Sequence, residues 1–284
     1  MSRKTRPNKS RQTGNAQPQA HDNRLVTGAR DRRPSSGNTS GGGGLWLFGR
    51  HPVTAALANR ERQKHRLIVS RKSADQYREE LAALLENLPS LQPELVGPED
   101  FEKLLPEGSL HQGIALKCAP LPGRHLEDSC EIAPEGKNLV LVLDQVTDPH
   151  NVGAIIRSAA AFGAKAIVTP DRNAPPESGT LAKSASGCLE LIPWVRVTNL
   201  SRALDQLAEM GYWRLGLDGY AETMVQDADF GDNIVLVLGA EGKGLRKGTR
   251  DHCDALVKLP ISDRVESLNV SNAAAVALYE LSRN

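Results

Sequence analysis

Two short, almost purely aliphatic segments constrain the fold of this chain more than any other feature. The segments NLVLVLD (138–144) and NIVLVLG (233–239) have the length and branched side chains of strands, and no polar residue interrupts the aliphatic run. A strand with one face in water alternates between apolar and polar residues, so both faces of these strands must be buried. Segments with helical periodicity lie between and after them. The pattern therefore predicts an α/β fold with a mostly parallel sheet covered by helices on both faces.

The remaining elements of this sheet follow from the same reasoning. We predict helices in HNVGAIIRSAAAFG, stopped by Gly163, in SRALDQLAEMG and in the Ala-rich end of the chain, and further strands in KAIVT, YWRLGLD and ALVKLP. Ligands of such sheets bind beyond the C-terminal ends of the strands. The polar residues at those ends are therefore the candidates for chemistry.

Composition divides the chain into four parts. Residues 1–44 carry nine Lys and Arg against two Asp, a sum of +7 within a net charge of +1. Their Gly, Ser, Asn and Gln cannot bury enough surface to offset the entropy of ordering, so we predict a disordered basic tail. It either solubilises the chain or contacts a phosphate backbone loosely. We predict a small α/β domain at 45–120, a linker containing Pro and Gly at 121–136, and the large α/β domain at 137–284.

The small domain has its own elements. HRLIVS and GIALKC have the length and β-branched content of strands, and ADQYREELAALLENL has helical periodicity. The run RERQKHR concentrates basic residues before a strand. Such a run is either a solvated face or part of an RNA-binding surface.

Several classes of protein are excluded by what the sequence lacks. The four cysteines are far apart, with no CxxC pair and no nearby histidine at ligand spacing, so we expect neither a metal site nor a disulfide. No apolar run approaches the ~20 residues that would span a bilayer. The first residues lack the apolar segment of a secretory signal. We expect a cytoplasmic protein without a membrane partner.

The first candidate strand end is DPHNVGAIIRSAAAFGA, which carries Asn151 and Arg157. Six residues apart, they would point about 240° apart on a continuous helix and cannot share a face. If they meet, the chain around Pro149 must stay non-helical near Asn151. The alternative is that Asn151 is only a helix N-cap and Arg157 an ordinary exposed arginine.

The second candidate strand end is LGAEGKGL, in which Gly239, Gly242 and Gly244 surround Glu241. Glycines at this spacing let backbone amides approach a ligand and permit a positive φ. The stretch matches neither the GxxxxGK[ST] nor the GxGxxG nucleotide-binding pattern, so a plain loop remains the alternative. Cations that would suit a polyanionic substrate follow at Lys243, Arg246, Lys247 and Arg250.

The third candidate strand end is LNVSNAAAVALYEL, where Asn269, Ser271 and Asn272 stand at the start of a buried helix. One side chain suffices to cap the helix, so two are left for another role. Together, the three ends offer amide-rich turns with few ionisable groups. This composition indicates a site that binds a polar cofactor mainly through backbone groups.

The segments DPHNVGAIIRSAAAFGA, LGAEGKGL and SLNVSNAAAVALYE resemble the three sequence motifs of the SpoU (TrmH) RNA ribose 2′-O-methyltransferases, in the same order and at the same strand ends. The resemblance covers residues 138–284. The first domain, with GRHPVTAAL and GSLHQGIAL, looks like the ribosomal-L30-like RNA-binding domain that precedes the catalytic domain in the 23S rRNA guanosine-2′-O-methyltransferase branch.

The resemblance implies a SPOUT-type fold with a C-terminal trefoil knot, S-adenosylmethionine as the cofactor, and a homodimer. It implies methylation of a ribose 2′-hydroxyl in RNA, with a guanosine of 23S rRNA, free or in an assembling large subunit, as the expected target. Two alternatives remain open. One is a tRNA ribose 2′-O-methyltransferase, and the other is a non-catalytic RNA-binding or ribosome-assembly protein of the same fold.

The resemblance also assigns residues by position. Arg157 is expected to be the key catalytic residue, with Asn151 orienting the arginine or the RNA, Glu241 organising the glycine turn, and Asn269 positioning the ribose or the cofactor. Asn272 or a neighbour is expected to cap the last helix. The expected cofactor-binding residues are Leu238, Gly239, Ala240, Gly242, Leu259, Ile261, Leu268, Asn269 and Ser271. The expected RNA-binding residues are Arg50, His51, Arg62, Lys64, Arg66, Lys243 and Arg246.

Overall fold

The structure is a computed structural model that describes residues 44–227 and 230–283. The predicted basic tail, residues 1–44, therefore lies outside the described residues except for Gly44. In the part of the chain that the structure describes, no helix is both long enough and apolar enough to cross a membrane.

The N-terminal part of the described chain forms a four-stranded sheet with the strand order β1-β4-β2-β3. The strands are β1 Leu45–Phe48, β2 Lys64–Val69, β3 Pro93–Leu95 and β4 Ile114–Cys118. The helices are α1 Arg50–Ala58, α2 Arg71–Gln76, α3 Arg78–Leu85 and α4 Pro98–Leu104. Strand β4 pairs antiparallel with β1 and β2, while β3 runs parallel to β2. The strands predicted in HRLIVS and GIALKC are confirmed.

The single helix predicted in ADQYREELAALLENL is wrong, because two helices, α2 and α3, occupy this region. Tyr77 separates them with a backbone conformation of φ −110° and ψ 19°, outside the helical region. Its side chain is buried in a hydrophobic cluster that contains residues of both sheets. Burial of the tyrosine is a tertiary contact that the local leucine spacing does not report.

The C-terminal part forms a seven-stranded sheet with the order β7-β6-β5-β10-β8-β11-β9. The strands are β5 Asn138–Leu143, β6 Ala166–Pro170, β7 Trp194–Val197, β8 Trp213–Leu217, β9 Thr223–Met224, β10 Asn233–Leu238 and β11 Ala255–Lys258. The helices are α5 Leu126–Ser129, α6 Pro149–Ala161, α7 Gly179–Ala185, α8 Leu200–Glu209, α9 Lys247–Arg250 and α10 Val270–Arg283. Every pairing recorded within this sheet is parallel. The predicted α/β fold with a mostly parallel sheet is confirmed.

The two aliphatic segments lie side by side at the centre of this sheet, where β5 pairs with β10 along its whole length. Alternate residues of β5 enter two different cores. Leu141 packs in the cluster that contains Ile155 of α6 and Leu278 of α10, whereas Val142 packs in the cluster that contains Leu204 of α8. Helices therefore cover both faces, which explains why residues 139–143 of β5 are all aliphatic.

Helix α7 and strand β7 were not predicted from the sequence. Both are short, at seven and four residues, so each contains at most two repeats of its hydrophobic pattern. Strand β7 lies at the edge of the sheet beside β6. Its residues Trp194 and Val195 are nevertheless buried, and the indole Nε1 of Trp194 donates a hydrogen bond to Thr169 Oγ1 at 2.9 Å.

Arg62 joins the loop before β2 to the segment around α7. Its side chain is completely buried and forms ion pairs with Glu177 and Glu190, and its Nη1 donates to Ala119 O at 2.9 Å. Burial alone would lower the pKa of Arg62, but the hydrogen bond to Glu190 and the two carboxylate charges raise that pKa above its usual value. The expectation that Arg62 contacts RNA therefore needs correction, because the guanidinium is enclosed by protein groups.

Candidate active site

Polar side chains from three strand ends form one hydrogen-bonded chain. Asn151 lies in the first turn of α6 after β5, Glu241 in the glycine turn after β10, and Asn269 directly before α10. Asn269 Nδ2 donates to Asn151 Oδ1 at 3.0 Å, and Asn151 Nδ2 donates to Glu241 Oε2 at 3.4 Å. Residues that are 118 and 90 positions apart in sequence thus meet beyond the C-terminal ends of the strands.

Asn151 occupies the centre of this chain because a carboxamide both donates and accepts hydrogen bonds. It is not the N-cap of α6. That position belongs to Asp148, whose Oδ1 accepts from His150 N at 2.9 Å. The interpretation of Asn151 as a capping residue is therefore wrong, and its side chain is directed to the other two strand ends.

Asn269 itself occupies the position of the helix cap and also reaches the site. Its Oδ1 accepts hydrogen bonds from Ser271 N at 2.9 Å and from Ser271 Oγ at 2.6 Å, while its Nδ2 binds Asn151. Asn272, which was expected to cap the helix unless a neighbour did so, is exposed. The division of labour expected from the sequence is therefore corrected: the two ends of one amide side chain cap α10 and connect it to α6.

The glycine turn after β10 folds back tightly on itself. Ala240 N donates to Gly244 O at 3.1 Å, and Gly244 N donates to Ala240 O at 2.8 Å. A Cβ atom at Gly239 would lie 2.1 Å from the backbone carbon of Gly244, so only glycine fits there. Gly242 and Gly244 have φ values of 76° and 65°, which also favour glycine. The turn depends on these glycines and is not an arbitrary loop.

The residues expected to hold a cofactor surround this turn and offer a mixed chemistry. Leu238 and Leu259 are buried at the ends of β10 and β11, while Ile261 is 37% exposed. Among the described residues, no hydrogen bond is recorded for the backbone N–H groups of Glu241 and Lys243. Free backbone donors beside apolar side chains fit a cofactor with both a polar chain and an aromatic ring, as S-adenosylmethionine has.

Arg157 lies away from this hydrogen-bonded chain. Helix α6 is continuous from Pro149 to Ala161, so Asn151 and Arg157 point to different faces, as the helical angle predicts. Arg157 is exposed, and no described residue forms a hydrogen bond or ion pair with it. Its charge acts on Cys188, whose thiol pKa is raised by burial and lowered in part by Arg157.

Comparison with known proteins identifies the family to which these three strand ends belong. A family model described as the SpoU rRNA Methylase family matches residues 138–279, which contain all three strand ends. The chain belongs to the SpoU family. A second model, described as RNA 2′-O ribose methyltransferase substrate binding, matches residues 46–123 of this SpoU chain.

Two curated relatives of the SpoU chain carry the same name. The 23S rRNA (guanosine-2′-O-)-methyltransferase RlmB of Coxiella burnetii is 37% identical over 84% of this chain and 94% of its own length. That of Xanthomonas campestris is 47% identical over 61% of this chain and 70% of its own length. Among solved structures, the SpoU methyltransferase AviRb of Streptomyces viridochromogenes in complex with AdoMet has a TM-score of 0.72 and 25% identity, covering 85% of this chain and 90% of that one.

The expected RNA-binding residues of the SpoU chain differ in whether their side chains are already paired with groups of the same chain. Arg50 Nε donates to Glu80 at 3.0 Å, and Arg66 Nη2 donates to Glu94 at 2.7 Å, a hydrogen bond that lowers the pKa of Glu94. Lys64 Nζ donates to a backbone oxygen, and burial lowers its pKa. His51 and Lys243 are exposed. These five residues therefore present surface to a ligand, whereas Arg62 does not. Arg50 and Arg66 would first have to release their carboxylate partners.

Sequence reasoning missed Asp144, which supports the remaining expected RNA-binding residue, Arg246. Asp144 is fully buried at the end of β5. Its Oδ1 accepts from Arg246 Nε at 2.7 Å, and its Oδ2 accepts from Arg246 N at 3.1 Å. The signal was present as an acidic residue directly after an aliphatic strand, since a buried carboxylate requires a partner.

Proposed function

We propose that this chain uses S-adenosylmethionine to methylate the 2′-hydroxyl of a ribose in RNA, specifically of a guanosine in 23S rRNA. The observation that carries the proposal is the hydrogen-bonded chain of Glu241, Asn151 and Asn269, which joins the three motifs of the SpoU family. The relatives named for guanosine 2′-O-methylation cover most of this chain and most of their own length. This length match supports 23S rRNA over tRNA as the substrate.

Methyl transfer to a ribose hydroxyl requires little of the protein besides alignment of the two reacting groups. When bound, S-adenosylmethionine supplies an activated methyl group on a sulfonium centre. The backbone of the glycine turn, together with Leu238 and Leu259, would hold the cofactor, and Asn269 would position the ribose. Alignment of two reacting groups can supply up to ~7–11 kcal/mol of a barrier. Few ionisable side chains are therefore needed, in agreement with the amide-rich site.

Arg157 is the proposed catalytic residue. A guanidinium has a pKa above ~12 and does not serve readily as a base. We assign it the stabilisation of negative charge on the 2′-oxygen as the proton leaves, with a phosphate of the substrate accepting the proton. Asn151 orients the RNA, and Glu241 holds the glycine turn against α6.

A homodimer is part of this proposal, because Arg157 and Asn151 lie on different faces of one helix. Within one chain Arg157 points away from the three strand ends, so a second copy is the natural source of an arginine at each site. Exposed apolar residues on α10, Val276 at 45% and Tyr279 at 49%, support a surface for that second copy.

The finer architecture is proposed on the family resemblance. We propose that the C-terminal part contains a trefoil knot and that residues 45–120 form an L30-like RNA-binding domain, joined through 121–136 to the catalytic domain at 137–284. The bounds of the two family models, 46–123 and 138–279, support this division. Leu126 and Cys130 of the predicted linker are buried against the large sheet, so we propose a docked linker. A cytoplasmic location and the absence of a metal remain predictions.

The direct test is methyl transfer from tritiated S-adenosylmethionine to unmodified large-subunit rRNA and, in parallel, to tRNA. The label is mapped by nuclease protection and by ribose-specific resistance to alkali. Label on the 2′-oxygen of one rRNA guanosine is the expected result. Label only in tRNA would overturn the substrate assignment. Saturable RNA binding without cofactor binding would favour the non-catalytic alternative.

A further inference from the structure

A concave surface lies beside the candidate active site, over the C-terminal ends of β5, β6 and β7. We call it the β5–β7 groove, and its volume is about 260 Å³. None of the described residues that line it is acidic. The polar lining that matters here consists of two arginines, three side-chain amides and a hydroxyl: Arg172, Arg246, Gln145, Asn173, Asn199 and Ser201.

Arg246 is held in the groove by a carboxylate underneath it. Asp144, fully buried, binds the Nε and the backbone N of Arg246. The side chain of Arg246 is still 48% exposed, and no described residue accepts a hydrogen bond from its two terminal nitrogens. An arginine fixed at Nε with both terminal nitrogens free is prepared for bidentate binding of a phosphate.

Arg172 supplies an uncompensated charge on the other side of the groove. It is exposed, and no described residue forms an ion pair or hydrogen bond with it. The neighbouring carboxylate, Asp171, lies 3.6 Å from Arg196 Nε, and Arg196 also donates to the backbone oxygen of Asp171. Because Asp171 is engaged by Arg196, Arg172 remains available to an anion.

The start of α8 adds further donors. Asn199 caps this ten-residue helix by accepting from Arg202 N at 3.1 Å. No described residue accepts from the backbone N–H groups of Leu200 and Ser201, both of which line the groove. These N–H groups form the positive end of the helix and would strengthen the binding of an anion to the two arginines.

The groove is separate from the expected cofactor residues, which belong to the ends of β10 and β11. Strands β5, β6 and β7 lie on the other side of β10 in the sheet order. It is nevertheless connected to the active site by two chain segments. Gln145 lies between β5 and α6, the helix that carries Asn151, and Arg246 follows the turn that carries Glu241.

We propose that the β5–β7 groove binds a phosphate-bearing nucleotide of the RNA substrate that neighbours the methylated nucleotide in the folded RNA. This proposal rests on the proposed function. The arginines hold the phosphate, while the carboxamides of Gln145 and Asn173 offer the donors and acceptors that a base or ribose edge requires. The groove thereby sets where along the RNA the reactive ribose is presented.

The test compares the full chain with Arg172→Gln, Arg172→Lys and Arg202→Gln. Arg202 is exposed on α8 but does not line the groove, so it is the matched control. We would measure the binding of an unmodified large-subunit rRNA transcript over a range of salt concentrations, and the KM values for RNA and for S-adenosylmethionine.

For Arg172→Gln we expect the KM for RNA to rise about tenfold, as for loss of one charged hydrogen bond. The slope of log Kd against log salt should fall by about 0.7, the value for one phosphate contact to a single strand. The KM for S-adenosylmethionine should stay unchanged. Arg172→Lys should restore the salt slope, because it keeps the charge, and Arg202→Gln should behave as the unmodified chain.

Three outcomes would overturn the groove assignment. These are an unchanged RNA affinity and salt slope in Arg172→Gln, an equal loss in Arg202→Gln, and a rise in the KM for S-adenosylmethionine alone. The last would assign the groove to the cofactor. The proposed function is judged separately on the unmodified chain: if that chain neither binds nor methylates the RNA, the proposed function fails before any variant is compared.

Discussion

The side-chain amide of Asn269 donates a hydrogen bond to Asn151 Oδ1 at 3.0 Å, while its oxygen accepts from the first turn of α10. One residue therefore caps the last helix and ties it to the first motif. The two functions can be separated by mutation. Serine caps a helix about as well as asparagine, but its short side chain has no amide to donate to Asn151.

We predict that Asn269→Ala lowers the free energy of unfolding by about 1 kcal/mol through loss of the cap. Asn269→Ser should stay within a few tenths of a kcal/mol of the unmodified chain. Both variants should lose methyl transfer to a similar extent, since both lack the contact with Asn151. Urea unfolding and initial rates check this. Full activity in the serine variant would show that the Asn151 contact is dispensable.

We predict that Arg157→Ala leaves the melting temperature unchanged, because no described residue pairs with this side chain. Methyl transfer should fall by at least about a hundredfold, as for loss of a group that stabilises a developing charge. Binding of S-adenosylmethionine, followed by calorimetry, should stay close to that of the unmodified chain. An equal loss of both would remove Arg157 from the chemistry.

A separate test asks whether Arg157 of one copy acts in the active site of the other copy, as proposed. Arg157→Ala and Asn269→Ser are purified, mixed, and allowed to exchange subunits. If Arg157 acts across the interface, each mixed dimer contains one intact site, so activity should recover to about a quarter of normal. If Arg157 acts within its own chain, both sites of the mixed dimer are defective and the mixture stays inactive.

We predict that Gly239→Ala abolishes cofactor binding, since the added Cβ would lie 2.1 Å from the backbone of Gly244 and the turn must open. Gly123→Ala is the control, because a Cβ there meets nothing within 4 Å and its φ is ordinary. Cofactor binding by calorimetry distinguishes the two. Normal binding by Gly239→Ala would mean that the tight turn is not required for the cofactor site.

We predict that Arg62→Ala destabilises the chain by about 3–5 kcal/mol, because it leaves the carboxylates of Glu177 and Glu190 buried without their partner. The matched variant combines Arg62→Met with Glu177→Gln and Glu190→Gln and removes all three charges. It should recover much of the loss. Urea unfolding measures both, and a loss below about 1 kcal/mol in Arg62→Ala would contradict the burial of this cluster.

We predict a contribution of Asp254 to acid stability. The hydrogen bond from Arg214 Nη2 at 2.6 Å holds the pKa of Asp254 below its usual value. A carboxyl with a lowered pKa in the folded state stabilises it above the unfolded pKa of ~3.9, and this stabilisation is lost as the pH falls through the lower folded pKa. Asp254→Asn should therefore weaken the chain near neutral pH but show a smaller further loss at about pH 3. Parallel pH dependences in thermal melts of the two proteins would contradict it.

Local patterns predicted much of the fold because the spacing of apolar side chains indicates which faces of an element are buried. The aliphatic runs at 138–144 and 233–239 became the adjacent central strands, and α6 ends before Gly163, whose φ is 72°. Short elements such as β7 were not predicted, since four residues contain only two repeats of a strand pattern. The break at Tyr77 escaped because it depends on where the ring is buried.

The sequence by itself determined the parallel sheet, the positions of the three polar strand ends and the resemblance to the SpoU family, because these depend on residue types at fixed spacing. Only the tertiary structure decided which polar groups meet. It buried Arg62 between two carboxylates, and it joined Asn269, the cap of α10, to Asn151 of α6. The physical reason is that hydrogen bonds and ion pairs between residues about a hundred positions apart depend on how the sheet and helices pack, and no local spacing records that packing.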